Sequence, residues 1–424
     1  MKWLYPIILW LALPLVWLRL RWRARSEPAY RERQAERFGR VPDQIRDKCI
    51  WFHTVSAGET IAAASAIAQV VAAQEHPVLV TTMTPTGSEQ VRERLGDQVD
   101  HCYAPYDFGF AIERFFERVQ PRLLVLMETE LWPNMIAAAA ARNIPVLVVN
   151  ARLSQRSADG YARLGSLSRT MLGRLSGVLA QTEDHARRFV ALGVDPERVA
   201  VNGNVKYDAR LPETHDATVA ALRARLAWEG YPVLIAASTH PGEDEPIISA
   251  YDELAAAQPN LRLVLVPRHP VRADAVCQLV ADAGMSFVRQ SSSDWDEAAP
   301  QVLIGDVMGA LQTLYGLADV AFVGGSLVER GGHNPIEPAL CGIPVVCGPY
   351  VFNFQDVVED LAQAGGLVVA QGEAELLPIL RELLGDPQRC RAAGTAALAF
   401  VDANRGAEAR LSARLLSESG RLPA

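Results

Sequence analysis

Short runs of aliphatic and β-branched residues, each closed by a polar or glycine-rich corner and followed by a longer amphipathic stretch, constrain this chain most. A first series reads CIWFHTV (49–55), PVLVTT (77–82), LLVLME (123–128), VLVVNA (146–151), GVLAQ (177–181) and VAVNGN (199–204). A second reads PVLIAAS (232–238), LRLVLVP (261–267), VLIG (302–305), DVAFVGG (319–325), PVVCG (344–348) and GLVVA (366–370). Continuous apolar runs separated by helical stretches such as ETIAAASAIAQVVAAQ predict parallel sheets covered on both faces. A length of 424 residues also exceeds one ordinary core.

The expected architecture is therefore α/β, with two Rossmann-like, doubly wound domains of similar size facing across a cleft. The N-terminal domain is expected at 41–210 and the C-terminal domain at 231–385. A linker is placed at 211–230, where no strand candidate occurs and Pro212 and Gly230 interrupt the pattern. The helical tail, 386–424, ends without a strand and is expected to pack back on the N-terminal domain.

Residues 1–40 stand apart. MKWLYPIILWLALPLVWLRLRWRAR holds an uncharged apolar run with Trp3, Trp10 and Trp17, then a row of arginines from Arg19 to Arg40. The run is slightly short for a bilayer-spanning helix, Pro6 and Pro14 disturb its regularity, and no small-residue cleavage site follows. An uncleaved anchor or shallow insertion is expected, with the arginines and the main body on the cytoplasmic side. The formal net charge of −8 argues against a general nucleic-acid partner. The 6 cysteines show neither metal-ligand spacing nor a disulfide framework.

In parallel sheets ligands bind beyond the carboxyl ends of strands, so the residues after each run matter most. There the chain places Ser56-Ala57-Gly58-Glu59, Glu128-Thr129-Glu130, Val205-Lys206, THPGEDE from 239, and Arg268-His269. Glu59 opens a helix, which suits either plain dipole stabilisation or a general base, and the residues alone leave both open. Glu128 and Lys206 read equally as a structural ion pair or as part of a reacting site.

The stretch GGSLVERGGHNPIEP (324–338) combines paired glycines with a helix start in which Asn334 caps, Pro335 enters the first turn and Glu337 follows three residues later. Such a start can receive a phosphate, although a well-capped buried helix explains it as well. Neither GxxxxGK[ST] nor GxGxxG occurs, so no redox dinucleotide is expected and no cofactor is assigned. Asp294-Trp295-Asp296 sits in a serine-rich loop and not after a strand, so no metal is assigned.

Taken in order, HTVSAGE (53–59), TTMTPTGSE (81–89), METELWPN (127–134), NARLS (150–154), GNVKYD (203–208), ASTHPGED (237–244), VPRHP (266–270), GDVMG (305–309) and GGSLVERGGHNPIEP closely resemble the 3-deoxy-D-manno-octulosonic acid (Kdo) transferases of Gram-negative bacteria. The resemblance runs from the apolar N-terminus to about residue 370. It implies a GT-B glycosyltransferase that moves Kdo from CMP-Kdo to the lipid A precursor at the inner membrane. It further implies Glu59 as proton acceptor, with Glu128 and Lys206 supporting the transition state. Donor contacts carried over by resemblance are Pro267, Arg268, Met308, Gly309, Ala310, Asn334, Pro335, Ile336 and Glu337. Ala310 stands where many relatives carry an acid. Competing readings are a sugar-nucleotide epimerase, which needs no lipid acceptor, and a nucleotide-binding membrane scaffold without catalysis.

Overall fold

The computed structural model describes residues 4–73, 75–293, 295 and 299–422, so Trp3, Asp294 and Asp296 lie outside the described residues. The chain divides into two compact units, Met1–Asp208 with Arg405–Ala424, and Ala209–Asn404.

The first unit is built on β1 (Ile50–His53), β2 (Val78–Thr82), β3 (Asp100–Tyr103), β4 (Leu123–Met127), β5 (Val146–Ala151), β6 (Gly177–Ala180) and β7 (Val199–Val201). They form a 7-stranded sheet in the order β3-β2-β1-β4-β5-β6-β7, with every neighbouring pair parallel. The second unit carries β8 (Val233–Thr239), β9 (Arg262–Pro267), β10 (Phe287–Arg289), β11 (Val302–Ile304), β12 (Val320–Val323), β13 (Val345–Cys347) and β14 (Leu367–Val369). Its 7-stranded parallel sheet has the order β10-β11-β9-β8-β12-β13-β14.

Side-chain alternation explains why the apolar runs are unbroken. In the first sheet Trp51, Leu79, Leu124, Leu126, Val146 and Val148 point into one core layer. Their immediate neighbours Ile50, Phe52, Val78, Val80, Val125 and Val149 point into the other. The second sheet splits the same way, Leu234, Leu263, Leu265 and Phe322 on one side and Val233, Ile235, Val264 and Ala321 on the opposite side. Each face must be apolar because helices cover both.

The expected sheets form, with two additions. β3 and β10 were not anticipated, and both are edge strands. An edge strand buries less, and these two carry only partial burial and polar residues such as Asp100, His101 and Arg289. A search for apolar runs passes over them.

The segment 211–230, expected as a linker, holds the helix His215–Arg225 and belongs to the second unit. Trp228 behind it is fully buried and donates its indole N–H to the Pro300 carbonyl at 2.9 Å. The tail divides between the units. The helix Pro387–Ala403 stays with the second, and the helix Ala407–Ser419 belongs to the first. Asp208 accepts the Gly406 and Glu408 amides at the start of this last helix, and Arg410 donates to the Asn202 carbonyl at 2.7 Å.

The N-terminal helix runs from Leu4 to Ser26 and passes through Pro14. Among the described residues no helix is long and apolar enough to cross a membrane, because Arg19, Arg21, Arg23 and Arg25 shorten the apolar portion of this one. It is held to the first unit along its length: Tyr5 donates to Asp107 at 2.8 Å, the Trp10 ring meets Phe110 at 5.7 Å, and Leu20 and Ala24 pack with Tyr30.

Candidate functional site

In each sheet the strand order reverses beside the first strand, between β1 and β4 in the first unit and between β8 and β12 in the second. Beyond such reversal points the loops diverge to opposite faces and leave room for a ligand.

At the first reversal, Ser56 and Glu59 form a reciprocal cap on the helix Ala57–Ala73. The Glu59 amide donates to Ser56 Oγ at 3.3 Å. Its carboxylate accepts the Val55 amide at 2.9 Å and the Ser56 hydroxyl at 2.9 Å. The side chain is nearly buried, with 8% exposure. Burial above all, then the negative charges of Glu128 and Glu130, raises Glu59 to about 8, against the lowering effect of the Val55 amide.

Glu128, at the end of β4, has a φ of 53°, a left-handed backbone that is uncommon for a non-glycine residue. Lys206 donates to its carboxylate at 2.7 Å, and both side chains are about a quarter exposed. Glu130 accepts the Trp132 indole N–H at 2.8 Å, and burial raises its pKa. Glu59, Glu128 and Lys206, the three residues singled out by resemblance, thus fall in one neighbourhood. Glu130 adds a further acid that sequence reasoning noted at a strand exit but did not place in the site.

At the second reversal the centre is Glu243, fully buried after β8. Its carboxylate accepts four backbone amides: His240 at 2.9 Å, Gly325 at 2.7 Å, Ser326 at 3.0 Å and Leu327 at 2.9 Å. The paired glycines are explained by this packing. A Cβ on Gly324 would lie 2.6 Å from the Ser238 carbonyl oxygen, and Gly325 has a φ of 69°. The amides of Gly325, Ser326 and Leu327 are therefore already used by an internal anion. The stretch contained no signal for this, because the acid that satisfies it lies 82 residues earlier.

Around that bolt stand basic and imidazole groups. Arg268 and His269, exposed after β9, come beside His240 and His333. Arg272 pairs with the buried Asp244 and donates to the Thr239 carbonyl at 2.8 Å. Asn334 accepts the Ile336 amide at 3.1 Å and donates its side-chain amide to Glu337 at 3.0 Å, which ties the residue before Pro335 to the first turn of the helix. That helix, Ile336–Leu340, is only 5 residues long. Burial raises the Glu337 pKa, and the charge of Arg268 opposes the rise.

Pro267 is buried at the end of β9, while Met308 and Gly309 are exposed after β11. Ala310 occupies the position before the helix Leu311–Leu317 and offers no side-chain cap. Pro267 ends β9 and Arg268 follows it, whereas the segment 334–337 follows β12, with β8 between the two strands. Met308 to Ala310 lie one strand further out, since β11 pairs with β9. Among the described residues no group of three or more His, Cys, Asp or Glu is arranged to hold a metal ion.

Comparison with known proteins agrees with this layout. Residues 32–209 match the family model described as 3-deoxy-D-manno-octulosonic-acid transferase, and residues 245–399 match glycosyl transferases group 1. A 3-deoxy-D-manno-octulosonic acid transferase of Haemophilus influenzae is 39% identical over 418 residues, covering 97% of each chain. One of Bordetella pertussis is 38% identical, covering 94% of each chain. In fold alone, the UDP-GlcNAc 2-epimerase of Neisseria meningitidis superposes with a TM-score of 0.56 at 14% identity, over 87% of this chain and 98% of that one. Two parallel, doubly wound sheets of the GT-B class and a match of this extent lead to one assignment: the chain belongs to the 3-deoxy-D-manno-octulosonic acid transferases and is a glycosyltransferase.

Proposed function

We propose that the enzyme transfers Kdo from CMP-Kdo to a sugar hydroxyl of the lipid A precursor, with inversion and without a metal. The observation that carries this reading is the buried Glu59 at the exit of β1, raised to about 8 and crowded by Glu128 and Glu130. A carboxylate raised by burial at a strand exit is suited to take a proton from an acceptor hydroxyl. The oxygen so activated attacks the anomeric carbon of Kdo, and CMP leaves with the bonding electrons. Lys206 neutralises Glu128 beside Glu59, which keeps the local field compatible with an ionised base. In the second unit Arg268 and the segment Asn334–Glu337, with Pro267 and Met308 to Ala310, hold the donor, and Arg268 meets the charge of the departing phosphate.

The acceptor is a lipid, and we place the enzyme at the cytoplasmic face of the inner membrane. In support, Trp10, Leu11, Leu15, Leu18 and Trp22 on the N-terminal helix are all more than half exposed, and Arg19, Arg21, Arg23 and Arg25 cluster at the end of the helix around Trp22. Such a face suits the boundary between acyl chains and anionic headgroups.

The test is a transfer assay read beside donor binding. Glu59→Gln should keep the affinity for CMP-Kdo and lower turnover by about 10²- to 10⁴-fold, the usual span for a general base. Arg268→Ala should instead raise the donor Kd. Near-normal turnover in Glu59→Gln removes Glu59 from the proton transfer, and an unchanged Kd in Arg268→Ala removes Arg268 from the donor site.

A further inference from the structure

Two histidines at the second reversal have no role in the assignments above. His240 follows β8 and His333 lies in the loop after β12, 93 residues apart. Their Nε2 atoms are 3.0 Å apart, with ring centroids 5.2 Å apart and planes 8° from parallel, so the rings meet end to end. His269, from the exit of β9, presents its ring edge-on to His240 at 6.1 Å. Three adjacent strands, β9, β8 and β12, therefore deliver imidazoles to one spot.

The backbone beneath is fixed. Glu243 ties the His240 amide to the loop after β12, the Gly332 amide donates to the Gly325 carbonyl at 2.7 Å, and the His333 amide donates to the Gly324 carbonyl at 3.1 Å. The acids nearby are already engaged: Glu243 with backbone amides, Asp244 with Arg272, and Glu337 with Asn334. Among the described residues neither Arg268 nor Arg330 forms an ion pair, and both add positive charge around His240.

Two Nε2 atoms in contact hold one proton between them, so the accepting ring carries its own proton on Nδ1 and the donating ring has a bare Nδ1. The pair presents an N–H donor and a nitrogen ready to become one. Surrounded by arginines, it is short of an anion. Burial and the Arg268 charge hold His333 down, to about 4, so the pair is neutral until an anion arrives to compensate.

We infer that His240 and His333 form an oxyanion-binding pair in the donor site, receiving either the phosphate of the nucleotide or the carboxylate of the sugar acid it carries. The inference rests on the proposed CMP-Kdo donor, which bears both groups next to the transferred carbon. Where it receives the carboxylate the pair selects an acidic sugar over a neutral one, and in either arm it acts in binding, not in the proton transfer assigned to Glu59.

The experiment is isothermal titration of full-length enzyme, wild type and His240→Asn/His333→Asn, with cytidine, CMP and CMP-Kdo. Thermal melting checks the fold of each variant. If the pair receives phosphate, the variant loses about 10-fold in CMP affinity while cytidine binding stays unchanged, a split that a general structural defect does not produce. If it receives the carboxylate, CMP binding is kept and the affinity for CMP-Kdo falls by about 10-fold, one decade being 1.4 kcal/mol. Wild-type affinity for all three probes in a variant that melts normally overturns the inference and leaves the donor assignment standing. Wild-type enzyme that binds neither CMP nor CMP-Kdo overturns the donor assignment itself. Should the double variant fail to melt cooperatively, the exposed His269→Asn replaces it and is expected to show the same split at about 3-fold, with an unchanged profile counting against the cluster.

Discussion

The reversal points of the two sheets share a topology and differ in what fills them. Each places a glutamate at the start of the helix that follows its first strand, Glu59 after β1 and Glu243 after β8. Glu243 accepts four backbone amides, three of them from the loop after β12, and is completely buried. Glu59 accepts one amide and one hydroxyl from its own turn, keeps 8% exposure, and sits among further acids. A carboxylate whose lone pairs are taken by distant amides is a fixed bolt between loops. One that caps only its own turn keeps accepting capacity, and like charges destabilise its ionised form. Position after a strand does not separate the two, whereas the partners of the carboxylate do.

The comparison breaks most visibly at Glu243. Glu243→Gln replaces two acceptor oxygens by one and brings an NH₂ group against amides that already donate. Buried N–H groups left unpaired cost about 1–3 kcal/mol each, so a loss of about 3–5 kcal/mol is expected. Chemical denaturation followed by circular dichroism should show this as a lower midpoint. If Glu243→Gln melts like the wild type, the two glutamates are not different in kind.

Glu59 should behave in the opposite sense, and pH reveals it. Its folded-state pKa, about 8, lies above the unfolded value of about 4.5, so the folded state holds its proton longer. The contribution to stability is fully present below pH ~4.5, declines as the pH rises towards 8, and is gone above that. Glu59→Gln lacks this titration. Its melting temperature relative to wild type should climb between pH ~5 and 8 and then level off, with a total swing of about 3–5 kcal/mol. Transfer by the wild type should rise across the same window as the base form appears. A flat stability difference from pH 5 to 9 would contradict the raised pKa.

How much of this was legible beforehand follows from the same physics. Strands buried on both faces announce themselves as unbroken apolar runs, and Ile50–His53 or Val320–Val323 could hardly be read otherwise. The edge strands Asp100–Tyr103 and Phe287–Arg289 could not, because an edge tolerates polar residues. Glu59, Glu128 and Lys206 could be singled out beforehand, since a carboxyl-end corner is a local feature of sequence and the motifs around them carry the family resemblance. The reversal points depend on strand order, which no local pattern fixes. The Glu243 bolt and the His240–His333 contact join loops 82 to 93 residues apart, and each partner alone reads as an ordinary polar corner.

The finest distinction concerns Lys206. Its pair with Glu128 is 2.7 Å long but about a quarter exposed on both sides, so solvent screens it. Lys206→Met should therefore change stability by less than about 1 kcal/mol, the range of exposed pairs, in contrast to the loss expected at Glu243. It should still leave Glu128 uncompensated next to Glu59, adding negative charge where a proton is to be taken up. Raising the Glu59 pKa further makes the base form scarcer at neutral pH, so the rise of transfer with pH should move to higher pH in the variant. A pH profile that coincides with wild type would reduce Lys206 to a surface ion pair and leave Glu59 without a counterpart. A shifted profile with an unchanged melting temperature separates an electrostatic role in the site from a structural one.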